Sequence, residues 1–121
     1  MIVRELPAAE WSRLAHTDLG QSVSYLLPEK ATILVVEEAD EIIGCWAVLT
    51  IPHAEGVWIH PRYRGKTSVA RRLWTAMQQT VERMGFTRVQ TGACDPVIAR
   101  LLERHGAVKL AMDSYILPVK G

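Results

Sequence analysis

Within residues 57–91 the apolar residues change their period twice, and nothing else in the chain constrains the fold as strongly. Val57-Trp58-Ile59 is a short apolar run that suits a strand and is stopped by His60-Pro61. From Thr67 onward Val69, Ala70, Leu73, Trp74, Met77, Val81 and Met84 recur at helical spacing, with Thr67 or Ser68 as N-cap and Gly85 as the stop. Residues 87–91 then read as a strand again. Strand, helix and strand in this order make a βαβ unit, which requires a parallel pair. The loop after its first strand therefore lies at the carboxyl end of the sheet, where α/β proteins bind ligands.

The flanking segments extend this unit in both directions. Ile2-Val3 suits a short first strand, and Pro7 opens a helical pattern with Trp11, Leu14, Ala15 and Leu19 on one stripe, closed by Gly20. Residues 21–27 can add a helical turn or two before Pro28. Thr32-Ile33-Leu34-Val35-Val36 and the longer run 42–51, with Gly44 inside it, form a hairpin around the acidic segment Glu37-Glu38-Ala39-Asp40-Glu41. That segment reads as a solvated turn without function, and the continuous apolar character of its strands predicts burial on both faces. After the βαβ unit, Asp95-Pro96 supplies an N-cap and a proline at the first helical position, Val97, Ile98, Leu101 and Leu102 line a helix, and Gly106 closes it. Strands near 107–111 and 114–118 complete the chain. The expected architecture is α/β in the broad sense (α+β), with a mixed, mostly antiparallel central sheet flanked by helices, over residues 1–121 as one domain.

Charge narrows the function. A formal net charge of +1 gives no global field for nucleic acid or an anionic membrane, so any electrostatic signal must be local. It is local: residues 56–81 contain no Asp or Glu, while Arg62, Arg64, Lys66, Arg71 and Arg72 are cationic. A single cluster with Tyr63 as its interleaved aromatic argues against nucleic-acid binding. The longest uncharged run, 42–54, is too short for a membrane span, and the two cysteines, Cys45 and Cys94, sit in or beside apolar runs as small buried residues. These features suit a reduced, cytoplasmic protein.

The loop 62–66 carries the chemistry. A helix starting at Thr67 offers unpaired N–H groups and partial positive charge, Arg64 and Lys66 add full charges, and Gly65 lets a ligand approach the backbone closely. A pyrophosphate fits this description. A P-loop does not, because G-x-x-x-x-G-K-[ST] needs glycine where His60 stands, and Pro61 and Arg62 would obstruct the cradle. The His and Cys residues also lack metal-ligand spacing.

Val57, Ile59, Pro61, Tyr63, Arg64 and Gly65, followed by a helix, resemble the acetyl-CoA loop of the GNAT superfamily of N-acetyltransferases. The resemblance extends over most of the chain from about Thr32, taking in the hairpin with Gly44 and the closing Leu101-Leu102-Glu103-Arg104-His105-Gly106-Ala107. It departs in the loop, where Thr67 and Val69 stand at the family's later glycine or small positions and Ala70 offers a small residue one place on. It departs again where the family places a cofactor-binding Asn and a Tyr that protonates the thiolate, positions here held by Asp95 and Leu102.

The resemblance implies acetyl-CoA as acyl donor, held by Trp58, Ile59, Arg64, Gly65, Lys66, Thr67, Ser68, Val69, Ala70 and Asp95, with the pantetheine arm between the strands ending at Ile59 and Thr91. It also implies direct attack by a neutral amine on the thioester, with the developing oxyanion taken by the Ile59 N–H. Glu55, and after it His53, is the candidate base, and Tyr115 the candidate proton donor in place of the missing tyrosine. Arg71 or Arg72 is a candidate for the ribose phosphate, and His60, His105 and His16 receive no role. The four tryptophans, Trp11, Trp46, Trp58 and Trp74, are expected mostly in the core, with Trp58 the one that can face the substrate groove. The acceptor amine has no signature here; dimerisation through the late strands is a further expectation, and a non-catalytic acyl-CoA-binding or protein-interaction module is the alternative function.

Overall fold

The hairpin organises the first half of the chain. Ala31–Glu38 (β2) and Glu41–Leu49 (β3) are rich in β-branched and apolar residues and pair antiparallel, with Ile33 opposite Ala47 and Val35 opposite Cys45. Ala39 and Asp40 both take positive φ, 50° and 65°, as a two-residue turn of the primed type requires. Ile2–Glu5 (β1) adds to the other edge of β2, so the order is β1-β2-β3. The computed structural model describes residues 1–65, 67–93 and 96–119.

A layer built from residues 6–26 covers one face of this sheet. Leu6, Trp11, Leu14, Ile33, Val35 and Ile42 form the buried core, and Leu19, Val23, Leu26, Cys45 and Ala47 pack against it. The helical stripe predicted after Pro7 is a 3-10 helix over Ala8–Leu14, which places Trp11 and Leu14 three residues apart on one side. The Trp11 indole donates from Nε1 to the Leu6 carbonyl at 3.1 Å, satisfying its polar edge inside the core. Beyond the 3-10 helix the chain proceeds in turns, and Gly20 is required there because a Cβ would come within 2.8 Å of the Ala15 carbonyl oxygen. His16 bonds through Nε2 to the Ile42 carbonyl at 3.1 Å and ties the layer to β3.

One edge of the acidic turn is not solvated, contrary to expectation. The Glu37 side chain is only 12% exposed and bridges Arg4 and Arg13, the latter at 2.7 Å. Arg4 and Arg13 also meet Glu10, at 3.1 and 2.9 Å, which closes a network joining β1, the 3-10 helix and β2. Hydrogen bonds from Arg4 and then Arg13 hold the Glu37 carboxyl down to about 2, and the same partners lower Glu10. A bulge between Val36 and Glu37 shifts the register there. Net-charge patterning hid this role, because Arg4 and Arg13 are distant in sequence.

The second half holds the βαβ unit, displaced from its predicted start. The parallel pair is His53–Ala54 (β4) with Gln90–Thr91 (β5), connected by the helix Thr67–Arg83 (α1), while Val57-Trp58-Ile59 is not a strand. Gly56, at φ +79°, turns the chain out of line, and an apolar run without a ladder partner has nothing to make it a strand. The second ladder is likewise shorter than residues 87–91. The α+β architecture, antiparallel sheet with helices, therefore holds, with the parallel pair as a separate ladder.

Pro96–Arg104 (α2) follows, with Pro96 at its start and Gly106 at φ +90° beyond its end; the Asp95 cap lies outside the described residues. Trp74 of α1 packs on His105 with ring centroids 4.4 Å apart, and His105 donates from Nδ1 to the Leu101 carbonyl at 2.9 Å. Residues 107–118 are not strands: the edge of β5 is only two residues long, too short to template the predicted ladders. Burial also departs from expectation, since α1 lies beside β4 and leaves the second face of the sheet, with Val3, Leu34, Trp46 and Val48, open. Trp46 is 77% exposed and Trp58 64%, while Trp11 is in the core and Trp74 half-buried. Among the described residues no helix is long and apolar enough to cross a membrane.

Candidate nucleotide-thioester site

The segment between β4 and α1 is stiffened by its own hydrogen bonds. Pro61–Tyr63 is a short 3-10 turn, entered through His60, whose Nδ1 accepts from the Arg62 N–H at 3.0 Å while the Tyr63 N–H reaches the His60 carbonyl at 2.8 Å. His60, predicted to have no role, is thus the cap of this turn, in the position an Asp or Ser more often fills. The Arg64 side chain donates from Nε to the Ile59 carbonyl at 2.8 Å and ties the two ends of the Pro61–Tyr63 turn together. The guanidinium carries further donors beyond the one this bond uses.

Gly65 is exposed, and a Cβ built on it meets nothing within 4 Å. The fold itself does not demand glycine there; the space it leaves faces outward, at the entry to α1. Thr67 and Ser68 are exposed and Val69 and Ala70 half-buried in the first turn of that helix, whose opening N–H groups have no intrahelical acceptor. Arg62, Arg71 and Arg72 are exposed around it. Lys66 and Asp95, both expected to contact the cofactor, lie outside the described residues, as does Cys94.

The parallel pair positions the other end of the site. His53 pairs with Gln90 and Ala54 with Thr91, and the Thr91 hydroxyl closes the ladder on the Ala54 carbonyl at 2.9 Å. Among the described residues the two strands pair no further, and Ile59 is half-buried with no hydrogen bond to its N–H.

The remaining predicted residues are not brought together. Glu55 is exposed just after β4 and makes no ion pair among the described residues. Tyr115 is 84% exposed in the C-terminal segment. No group of three or more His, Cys, Asp or Glu that could hold a metal ion occurs among the described residues. A cavity of about 370 Å³ lies between β4 and α1, lined by His53, Leu73, Met77, Val81, Met84 and Val89, so it is apolar and behind the loop rather than at it.

The chain is similar in structure to ribosomal-protein-alanine N-acetyltransferase from Brucella melitensis biovar Abortus 2308 (17% identity, 97% of this chain and 98% of that one, TM-score 0.41). It is also similar to a predicted acetyltransferase with acetyl-CoA from Clostridium acetobutylicum (11% identity, 96% and 95% covered, TM-score 0.45). A third similar structure is an aminoglycoside antibiotic 6'-N-acetyltransferase from Acinetobacter haemolyticus (17% identity, 98% and 98% covered, TM-score 0.43). No curated protein matches the sequence. The match that decides is to the model of the acetyltransferase (GNAT) family, which takes in residues 2–107 and so the hairpin, the βαβ unit, the loop and α2 together. The chain belongs to the GNAT acetyltransferase family.

Proposed function

We propose that residues 1–121 act as one acyl-CoA-dependent N-acyltransferase unit that transfers acetyl from acetyl-CoA to an amine by direct attack. The observation that carries this reading is the His60-capped turn, which delivers Arg64 and an unobstructed Gly65 to the start of α1. In this reading Arg64, Gly65, Lys66, Thr67, Ser68, Val69, Ala70 and Asp95 hold the nucleotide end of the thioester, and Trp58 and Ile59 border its arm. The thioester supplies the activated acyl group.

Ile59 donates its N–H to the oxygen that becomes negative as the amine nitrogen bonds to the carbonyl carbon. Glu55 takes the amine proton, and the C–S bond breaks to release the thiolate, which Tyr115 protonates. The Tyr115 role requires the exposed C-terminal segment to fold over the site. The acceptor is a neutral amine, and a cytoplasmic setting, where acyl-CoA is made, fits the two separate cysteines.

Calorimetric titration with acetyl-CoA, with Arg64→Glu as control, tests the binding half. Saturable heat that the variant loses is expected, and its absence from the unaltered protein would remove the reading. A screen of amine acceptors with Glu55→Gln tests the other half: a fall in kcat of roughly 10²–10⁴ is expected for a lost general base. The 84% exposure of Tyr115 and the Leu102 at the usual tyrosine position favour a second reading, a non-catalytic acyl-CoA-binding module. Tight acetyl-CoA binding with no turnover on any amine would select it.

A further inference from the structure

None of the groups assigned above to acyl transfer lines the cavity of about 370 Å³ between β4 and α1. Packed side chains leave few voids larger than a water molecule, so a space of this size between a strand pair and its helix is not ordinary packing. It falls instead within the roughly 300–1,000 Å³ of small-molecule pockets. Leu73, Met77, Val81 and Met84 line it from α1 and Val89 from the approach to β5, and among the described residues no Asp, Glu, Lys or Arg joins them. Thr80 also lines it, but its hydroxyl is engaged, donating to the Ala76 carbonyl at 2.8 Å.

Size and chemistry select the class of ligand. A dry apolar cavity of about 150 Å³ takes a benzene ring, so one of about 370 Å³ has room for a straight chain of roughly six to eight carbons. A charged group is excluded, because no lining side chain of opposite sign would offset its desolvation. Two methionines border the space, Met77 half-buried and Met84 54% exposed. A thioether side chain turns about three bonds and repacks around guests of different length.

The cavity lies where such a chain would be carried. Its strand-side wall includes His53 and Ala54, the residues of β4 itself, and Ile59 follows Ala54 by only five residues with the turn at Gly56 between them. With the phosphates at the start of α1 and the thioester carbonyl at Ile59, the acyl group is the part of the donor that extends furthest from the loop. We infer that the cavity receives the acyl chain of the donor, and that straight chains of about six to eight carbons are taken in preference to acetyl. The pocket presupposes the acyl-CoA site proposed above and adds a donor class to it; acetyl is too short to fill the space.

The test measures Kd for coenzyme A, acetyl-CoA, hexanoyl-CoA, octanoyl-CoA and dodecanoyl-CoA in the unaltered protein, and for the first three in Ala76→Phe and Gln78→Phe. Ala76 lines the cavity, so the added ring takes up its space, while Gln78 is exposed on α1 outside the lining and carries the same ring as a control. Hexanoyl-CoA should bind the unaltered protein about 10- to 100-fold more tightly than acetyl-CoA, from the additional buried methylenes. Affinity should stop rising beyond octanoyl-CoA, where the space is full. Ala76→Phe should remove the advantage of hexanoyl-CoA without changing coenzyme A or acetyl-CoA, and Gln78→Phe should change none of the three. Equal affinity for acetyl-CoA and hexanoyl-CoA, an affinity that climbs on to dodecanoyl-CoA, or an advantage that survives Ala76→Phe each overturns the pocket, while coenzyme A binding keeps the loop reading standing. No coenzyme A binding by the unaltered protein overturns both.

Discussion

The two halves of this chain divide stability and chemistry between them. The half built on β1, β2 and β3 contains Leu6, Trp11, Leu14, Ile33, Val35 and Ile42 as one buried cluster, whereas in the half built on β4, α1, β5 and α2 Val81 is the buried hydrophobic residue among those described. Cations and open backbone donors show the opposite distribution, with Arg62, Arg64 and Gly65 exposed in the second half. Packed apolar surface is the main favourable term in folding, so the first half supplies most of the stability. The second half can then leave a loop and a helix end uncovered for a ligand, since sites are drawn from the less stable parts of a fold.

The largest effect that tests this division comes from the core. Leu14 is fully buried, so Leu14→Ala should cost about 2–5 kcal/mol in urea unfolding. The same truncation at Leu73, which is exposed on α1, should cost far less. Equal losses at the two positions would show that the halves share one core and would break the comparison.

Next in size is the loop. Arg64→Glu removes the bond to the Ile59 carbonyl and reverses the charge facing the ligand, so acetyl-CoA affinity should fall about 10- to 100-fold, as expected for a charge-assisted hydrogen bond. The midpoint of urea unfolding should not move with it. Gly65→Ala sharpens the point, because the added methyl meets no protein atom within 4 Å and should weaken acetyl-CoA without weakening the fold. A drop in stability without a drop in affinity would make Gly65 a folding residue.

A smaller effect belongs to the ion network. The Glu37 carboxyl, ordinarily 4.5, is held down to about 2 by hydrogen bonds from Arg4 and Arg13, so its contribution to stability is present above 4.5 and lost as pH falls from there toward about 2. Glu10 is lowered in the same sense. Thermal melts of Glu37→Gln should therefore lose stability relative to the unaltered protein at pH 7, and the two curves should converge toward pH 2. Parallel curves would mean that the network is not formed in solution.

How much of this was legible in the sequence follows the same line. Short-range signals read correctly: a hairpin turn within residues 37–41, the helix starting at Thr67, Pro96 at the head of α2, and the stops at Gly85 and Gly106. The family followed from the resemblance of Val57, Ile59, Pro61, Tyr63, Arg64 and Gly65 to the GNAT acetyl-CoA loop, while the residues by themselves pointed only to an anion at the start of a helix. What failed was whatever depends on a partner distant in sequence. Val57-Trp58-Ile59 has strand composition but no ladder, Glu37 looked solvated until Arg4 and Arg13 were placed beside it, and the His60 cap depends on a side-chain orientation that composition does not encode.

The smallest predicted effect separates two tryptophans that the sequence treats alike. Trp11 and Trp46 both sit in apolar patterns, yet Trp11 is 8% exposed with its Nε1 bonded to the Leu6 carbonyl, and Trp46 is 77% exposed on the open face of the sheet. Replacing Trp46 by Ser removes little buried area, so the change should stay within about 0.5 kcal/mol, against roughly 3–5 kcal/mol for Trp11→Ala. The comparison is informative because the two sites differ in burial and not in residue type. A loss at Trp46 approaching that at Trp11 would mean that the face of Val3, Leu34 and Val48 is covered in solution.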